Sequence, residues 1–147
     1  MEAPLLSAVI AAPLAGAIIA FTLRGRAAFV WALVIAAADL TLAGLIMSQV
    51  RTDNPTFQLV ERHLWLPQLG IQYALGVDGI SVFLIILNAL IALLSIAASA
   101  RFAAGPRSGV YFGLMLLLTG AMQGVFLSTN LFPFYVFWEL MLVPGYL

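Results

Sequence analysis

Charged residues are scarce in this chain, and their scarcity indicates the class of protein. Only 8% of the 147 residues are charged, 64% are hydrophobic, and the mean hydropathy is +1.12. A soluble globular domain carries about 25% charged residues, so this chain has too few charges to cover a soluble surface. The composition therefore indicates an integral membrane protein.

Cysteine and lysine are both absent from the sequence. The lack of cysteine excludes disulfides, thiolate zinc sites and cysteine-ligated iron–sulfur clusters within the chain. The single histidine, His63, lies outside the apolar runs and cannot form a metal site alone. All six basic residues are arginine, and they balance six acidic residues, so nothing in the charge indicates a nucleic-acid partner. There is also no glycine-rich phosphate loop, so no nucleotide chemistry is expected in this chain.

Four apolar runs are long enough to cross a bilayer, which takes about 20 residues, and a fifth run is shorter. They predict an all-α polytopic membrane protein, a single membrane domain with helices at about 4–23, 27–48, 77–100, 110–127 and 131–147. Between the second and third helices, residues 49–76 are more polar and partly alternate in character. This pattern predicts a short extended segment or hairpin at the surface.

The ends of the sequence lead to two further expectations. Glu2 precedes the first run, and Arg24 and Arg26 follow it. This order is the reverse of that in a secretory signal peptide, so the first helix is expected to stay in the membrane. The fifth run stops at Leu147 after about 17 residues, near the lower limit for a span, and it has no polar flank. The chain is therefore expected to be the N-terminal part of a longer protein; a complete five-helix protein is the alternative.

The distribution of arginine predicts the orientation of the helices. The first and third loops together carry four arginines and the second loop carries two: Arg24, Arg26, Arg101 and Arg107 against Arg51 and Arg62. The positive-inside rule then places the first and third loops in the cytoplasm and the N-terminus outside. The fifth helix is accordingly expected to enter the membrane from the outer face.

One carboxylate interrupts the fifth apolar run. Glu139 follows Asn130 by nine residues, which at 1.5 Å per residue places it roughly 13 Å deep, near the middle of a hydrocarbon core about 30 Å thick. Charged residues at such depths are costly and usually mark ion or proton paths. Glu139 is therefore a candidate proton relay, with a static ion pair or a protonated, hydrogen-bonded acid as the alternative. No arginine is placed to pair with it, so its cation is expected from another helix or subunit.

Three further residues are candidates for functional or supporting roles. Pro144 removes the backbone donor that would meet the carbonyl of Leu140, so a bend or a bound water is expected beside the relay; a plain membrane-helix proline is the alternative. Asp39, well inside the second apolar run, is a possible second buried acid that either pairs or stays protonated. Asp78 stands where the third helix begins and is expected to cap its free N–H groups.

The remaining polar residues of the apolar runs are mainly amides and hydroxyls. Asn88, Thr119 and Gln123 belong to this group. Such side chains are more typical of hydrogen bonds between membrane helices than of ion ligands. We therefore expect them to join neighbouring helices.

Two segments resemble a known family. Residues 75–81, Leu-Gly-Val-Asp-Gly-Ile-Ser, resemble the V-D-G-(I/L)-S start of the third helix in the antiporter-like subunits of respiratory complex I. Residues 137–144, Phe-Trp-Glu-Leu-Met-Leu-Val-Pro, resemble the F-W-E-x-M-L-(V/I)-P segment of NADH-quinone oxidoreductase subunit M, also called chain 4. The resemblance is patchy over the first 60 residues and strong from about Leu75 onward. Gly145 departs from the larger residue expected at its position.

The resemblance implies a fold and a role. The family has fourteen helices in two inverted five-helix repeats with flanking helices, and this chain would cover the first five. The resemblance implies a proton-translocating subunit of NADH:quinone oxidoreductase in a bacterial inner membrane. It also implies that Glu139 pairs with a lysine two helices later and that this subunit binds no redox cofactor. The implied partners are the lipid bilayer and the other membrane subunits of complex I, with quinone and NADH handled by partner subunits.

Two alternatives remain open. The D-type member of a multisubunit sodium/proton antiporter shares the V-D-G start of the third helix and has no redox partner. A structural membrane bundle without transport would tolerate glutamine at position 139 without consequence.

Overall fold

The computed structural model describes residues 4–51 and 53–147, which form a bundle of five α-helices with one β-hairpin. The elements in chain order are α1 (Leu5–Thr22), α2 (Gly25–Gln49), β1 (Gln58–Leu66), β2 (Ile71–Val77), α3 (Ser81–Ala98), α4 (Ser108–Leu127) and α5 (Leu131–Tyr146). By length and composition, α1 to α4 can cross a membrane, whereas α5 is apolar but shorter. The predicted helical membrane fold is thereby confirmed. Glu2 and Thr52, which belong to the predicted N-terminal flank and the predicted 49–76 segment, lie outside the described residues.

Helix α3 is shorter than the predicted 77–100. It begins at Ser81, because Val77 is still paired with the other strand of the hairpin. It ends at Ala98, because residues Ala100–Ala104 wind into a separate 3-10 helix. The predicted limits were therefore wrong by four residues at the start and two at the end, while the limits of the other helices differ from the prediction by at most two residues.

The segment between α2 and α3 contains the hairpin predicted for residues 49–76. Strands β1 and β2 pair antiparallel, with two irregularities in their register. A 3-10 turn at Pro67–Leu69 connects them and ends at Gly70, whose φ of 65° favours glycine. This prediction is confirmed.

Glu61 fastens the hairpin to the beginning of α1. Its carboxylate accepts hydrogen bonds from the backbone N–H groups of Leu6 (2.8 Å) and Ser7 (3.1 Å) and from the Ser7 hydroxyl. The first N–H groups of a helix have no partner within the helix, and the positive end of the helix dipole favours a negative charge. A strand residue thus supplies the cap that α1 does not supply itself, since its own N-cap, Pro4, makes no side-chain cap bond.

The hairpin also contacts the loop between α4 and α5. The Thr129 N–H donates to the Ala74 carbonyl at 3.0 Å, and the Trp65 ring meets the Phe132 ring edge-on at 5.5 Å. The hairpin therefore covers the end of the bundle where α1, α3 and α5 begin and α2 and α4 end. We call this the hairpin end.

Buried apolar side chains form two clusters. The cluster at the hairpin end contains Leu6, Val9, Ile10, Ala43, Ile46, Leu75, Val77, Val82, Ile85, Ala89, Leu127 and Phe137. The cluster in the other half contains Ala17, Ala20, Ala28, Ala32, Ala36, Ile96, Phe112 and Leu116. Along α2, Asp39 falls between the last residue of one cluster and the first residue of the other.

Helix α4 approaches its neighbours closely at glycines. A Cβ on Gly109 would collide with the backbone carbonyls of Ala20 in α1 and of Leu23 just after it, and one on Gly120 would lie 2.7 Å from the Leu14 side chain. Small residues at helix contacts let membrane helices pack tightly where no hydrophobic effect drives them together. The α1–α4 contact therefore depends on the absence of side chains on α4.

Candidate functional site

Helix α5 is positioned by its cap and by one contact face. The Asn130 side chain accepts a hydrogen bond from the Phe132 N–H at 3.1 Å, which satisfies one of the free donors at the helix start. One turn apart, Pro133 and Phe137 are both buried. The Phe137 ring lies against Gly124 of α4, where any Cβ would overlap it. The orientation of α5 about its axis is thereby fixed.

Glu139 lies on the opposite side of α5 from this contact. It follows Phe137 by two residues, which is a rotation of about 200° around a helix with 3.6 residues per turn. It is exposed, as are Tyr135, Leu142 and Tyr146, which share its face at helical spacing. We call these four residues the exposed stripe of α5. Within residues 4–51 and 53–147, no hydrogen bond or ion pair engages the Glu139 carboxylate.

A carboxylate facing lipid on an apolar helix is energetically unfavourable. Charged residues near the bilayer centre cost about 2.5–3.5 kcal/mol on insertion scales, and those that occur face a protein interior or a water-filled cavity. The other members of the stripe are large: Tyr146 is 92% exposed and Tyr135 is 56% exposed. The stripe therefore combines a carboxylate with exposed aromatic side chains.

Pro144 lies inside the last turn of α5. The helix continues through it to Tyr146, and the Leu147 N–H donates to the Val143 carbonyl at 3.2 Å. Because proline has no N–H, the carbonyl of Leu140 lacks its regular helical donor. This carbonyl is one residue from Glu139 along the chain, so a polar backbone group lies beside the carboxylate.

Asp39 is fully buried between three helices. Its Oδ2 accepts a hydrogen bond from Nε2 of Gln123 in α4 at 3.0 Å. The same nitrogen donates to the carbonyl of Ile85 in α3 at 3.3 Å. The other two oxygens, Oδ1 of Asp39 and Oε1 of Gln123, have no hydrogen-bond partner among the described residues. A buried polar atom left without a partner costs about 1–3 kcal/mol, so this arrangement calls for an additional proton or ligand.

The structure keeps the two membrane acids apart. Gln123 faces α2 and α3, whereas its neighbour Gly124 faces α5. Asp39 therefore lies inside the bundle, and Glu139 lies on its surface. They share no hydrogen-bond partner within the described ranges.

The polar residues near this pair join helices as predicted, with one exception. The Asn88 amide of α3 donates to the Thr119 carbonyl of α4 at 3.1 Å, and Gln123 links three helices. The predictions for these two amides are confirmed. The Thr119 hydroxyl instead donates to the Met115 carbonyl of its own helix at 2.8 Å. That prediction was wrong because a threonine hydroxyl reaches the preceding turn of its own helix.

Asp78 lies at the hairpin end, just before α3. Its carboxylate accepts hydrogen bonds from the N–H groups of Ser81 (2.7 Å) and Ile80 (3.1 Å), and the Ser81 hydroxyl accepts from the Asp78 N–H (2.9 Å). The bonds from Ser81 hold the pKa of the Asp78 carboxyl below its usual value of 3.8. This is the hydrogen bonding expected of a residue that caps a helix start.

The hydrogen-bond partners of two residues were not predicted from the sequence. Gln123 is a lone amide in an apolar helix, which is a visible signal, but its pairing with Asp39 joins positions 84 residues apart. Glu61 is one of several charges in a polar segment, and nothing in its spacing indicates the start of α1. Across residues 4–51 and 53–147, no group of three or more potential metal-binding side chains comes together.

Comparison with known proteins places these residues in a family. The sequence model of a protein family, the NADH-ubiquinone oxidoreductase chain 4 amino terminus, matches residues 26–123, which is more than half of the chain. The whole chain is 40% identical to an NAD(P)H-quinone oxidoreductase chain 4 of Synechococcus sp. (strain JA-3-3Ab) and 36% identical to one of Trichormus variabilis. It spans 28% of the length of each of these relatives.

A solved structure shares the fold. The Mrp complex from Dietzia sp. contains a chain that superposes on 96% of this chain with a TM-score of 0.79, at 24% sequence identity and over 15% of its own length. At that identity the likeness concerns the fold alone. Asp39 and Gln123 lie within the segment that the family model matches, and the alignment with the Synechococcus relative extends over Glu139 as well. The chain belongs to the family of the NADH-ubiquinone oxidoreductase chain 4 amino terminus, as the resemblance at residues 75–81 and 137–144 predicts.

Proposed function

We propose that this chain is the N-terminal part of a proton-translocating membrane subunit of an NAD(P)H:quinone oxidoreductase. In this role, Glu139 takes up and releases protons while the oxidation of the nicotinamide and the reduction of quinone occur in partner subunits. The chain itself supplies no redox chemistry and binds no cofactor. The relatives that match the whole chain are named as chain 4 of such oxidoreductases, which supports the assignment.

The observation that carries the proposal is the position of Glu139 on the exposed stripe of α5. A carboxylate in an apolar helix, with no partner among the described residues, needs a counter-charge or water from outside this bundle. A group that pairs with a neighbouring cation changes its proton affinity when the distance between them changes. Movement of a partner helix against the stripe would therefore load or release a proton at Glu139.

The proposed setting is a bacterial inner membrane with the N-terminus outside. Multiple apolar helices make the chain a multi-pass membrane protein, and the arginine count of its loops supports the orientation. The proposed partners are the other membrane subunits of the oxidoreductase, packed against the exposed stripe, and the surrounding lipid. Pro144 would contribute the free carbonyl of Leu140 as a position for water next to Glu139.

The experiment measures proton movement in vesicles that contain the assembled oxidoreductase. We expect Glu139→Gln to lose most NAD(P)H-driven proton uptake, because glutamine keeps the size and polarity of the side chain but cannot carry a proton. Asp53→Asn is the matched control, since it also removes one carboxylate but from an exposed loop position. Uptake in the control is expected to equal that of the wild type, and normal uptake with glutamine at position 139 would contradict the relay.

A sodium/proton antiporter subunit is the second candidate, since a chain of the Mrp complex has the same fold. The likeness extends to the fold only and therefore does not favour one ion over another. The same vesicles distinguish the candidates. Proton movement driven by a sodium gradient without NAD(P)H would support the antiporter, whereas dependence on NAD(P)H and quinone supports the oxidoreductase.

A further inference from the structure

Asp39 is enclosed by a part of the bundle that offers it no positive charge. Helices α1, α3 and α4 pack on α2 and carry no Asp, Glu, Lys, Arg or His in their described residues. The 3-10 helix Ala100–Ala104 also packs on α2 and carries Arg101. It lies beside Gly25, at the N-terminal end of α2. Fourteen residues of helix separate Gly25 from Asp39, a distance of about 21 Å. An ionised Asp39 would therefore be a buried charge without a counter-ion.

The partner of Asp39 has a fixed orientation. The Ile85 carbonyl can only accept a hydrogen bond, so the group of Gln123 that faces it must be the amide nitrogen. The same nitrogen donates its second hydrogen to Oδ2 of Asp39. Both N–H bonds of the amide are thereby used, and its oxygen is buried without a donor among the described residues.

Two acceptor atoms are consequently each left without a hydrogen-bond donor among the described residues. They are Oδ1 of Asp39 and Oε1 of Gln123, both fully buried among the described residues. A hydrogen on Oδ1 would turn that atom into a donor, which is what the amide oxygen lacks. A carboxylic acid and a primary amide then form a closed pair, in which the acid O–H donates to the amide oxygen and the amide N–H donates to the acid oxygen.

We propose that Asp39 and Gln123 form a proton-binding site inside the bundle, with a resident proton on Oδ1 of Asp39 that donates to Oε1 of Gln123. This site is separate from Glu139 and does not depend on the proposed function. It lies between the two apolar clusters, where α2, α3 and α4 meet. The ligand is a proton rather than a metal ion, because one carboxyl and one amide oxygen are too few ligands for a divalent cation.

The test observes the three aspartates of the chain directly. The 147-residue chain is labelled with aspartate carrying ¹³C at the side-chain carboxyl group, placed in lipid nanodiscs and examined by NMR at neutral pH. Asp39, Asp53 and Asp78 are the only aspartates, so three resonances are expected. We expect one resonance of a protonated acid and two resonances of carboxylates.

Substitutions assign the resonances. Asp39→Asn is expected to remove the protonated resonance and to keep the fold, because the asparagine amide can donate to Oε1 in place of the acid proton. Asp53→Asn and Asp78→Asn are each expected to remove one carboxylate resonance. If Asp39→Asn fails to fold, these two variants assign the remaining resonance to Asp39 by elimination. Gln123→Leu is expected to shift the Asp39 resonance and leave the other two unmoved.

Three results would overturn the proposal. The first is a set of three carboxylate resonances at neutral pH, which would mean that Asp39 is charged and held by water. The second is a protonated resonance that survives Asp39→Asn. The third is a shift of the Asp39 resonance on addition of sodium chloride but not of the chloride of a bulky organic cation, which would identify a cation site.

Discussion

At the scale of single residues, the two acids of the apolar helices differ in burial. Asp39 is fully buried and hydrogen-bonded to Gln123, whereas Glu139 is exposed and has no partner in the described part of the chain. The sequence reveals both acids, because a lone charge in an apolar run is conspicuous. It does not reveal which acid is enclosed, because that depends on the face each helix presents to its neighbours.

Gln123 is predicted to stabilise the bundle through its hydrogen bonds. Gln123→Leu leaves the Asp39 carboxyl without its donor and removes the side-chain hydrogen bond to the Ile85 carbonyl, and we expect a loss of about 1–3 kcal/mol in the free energy of unfolding. Titration of the purified chain from mild detergent into denaturing detergent, followed by circular dichroism, measures this loss.

Thr41→Val provides the matched control on α2. The Thr41 hydroxyl is exposed and bonds only to Ala37 of its own helix, so a change within about 0.5 kcal/mol is expected. Equal stability of the Gln123 variant and the wild type would show that the buried amide contributes no net stability.

At the scale of the elements, the ends of the helices are held by residues from elsewhere in the chain or just outside the helix. Asp78 and Asn130 accept hydrogen bonds from N–H groups at the starts of α3 and α5, and a cap at Asp78 is predicted from its place before an apolar run. Glu61 caps α1 from a strand 55 residues away. Local spacing predicts the first kind of cap, but only the folded hairpin creates the second.

The cap of α3 is predicted to depend on pH. The pKa of Asp78 is lowered by its bonds from Ser81, so the ionised cap contributes stability above the ordinary carboxyl pKa of about 4, and this contribution is lost as pH falls through the lower folded value. We expect hydrogen-exchange protection of the Ile80 and Ser81 amides to decrease over that acid range, and Asp78→Asn to remove the dependence.

The start of α5 is an internal control for this measurement. Its cap is the neutral side chain of Asn130, which bonds to the Phe132 amide. Protection of Phe132 should therefore not follow the same pH dependence. A parallel decrease at both helix starts would indicate general acid unfolding rather than titration of Asp78.

At the scale of the whole molecule, helix packing depends on positions where a side chain is missing. Gly109 lets α4 touch the backbone at Ala20 and Leu23, where α1 ends. We expect Gly109→Ala to cost about 1–3 kcal/mol of unfolding free energy, because a Cβ there meets backbone atoms that cannot rotate away. The same detergent titration measures this cost.

Gly44→Ala is the matched control for Gly109→Ala. Gly44 lies inside α2 with open space where its Cβ would stand. Alanine there should be neutral or stabilise the helix by up to about 1 kcal/mol, since glycine is unfavourable within helices. If both alanines had the same effect, close packing of α1 on α4 would not be a source of stability.

The sequence predicts the number and class of the elements better than their contacts. Long apolar runs predict α1, α2 and α4 to within two residues, because a bilayer span imposes a length on each helix. The start of α3 was predicted too early, because strand pairing at Val77 competes with helix formation and pairing is a non-local property. The contact of Phe137 with Gly124, which sets the direction in which Glu139 points, is also non-local. Neither Phe137 nor Gly124 alone predicts this contact.

The proton-carrying role of Glu139 is decided by one comparison in vesicles of the assembled oxidoreductase. Glu139→Asp and Glu139→Gln are measured side by side for NAD(P)H-driven proton uptake, with assembly of the complex verified on native gels. We predict that aspartate, which keeps a carboxyl group, retains a substantial part of the uptake and that glutamine loses most of it. Equal uptake by the glutamine variant and the wild type, in a fully assembled complex, would contradict this role.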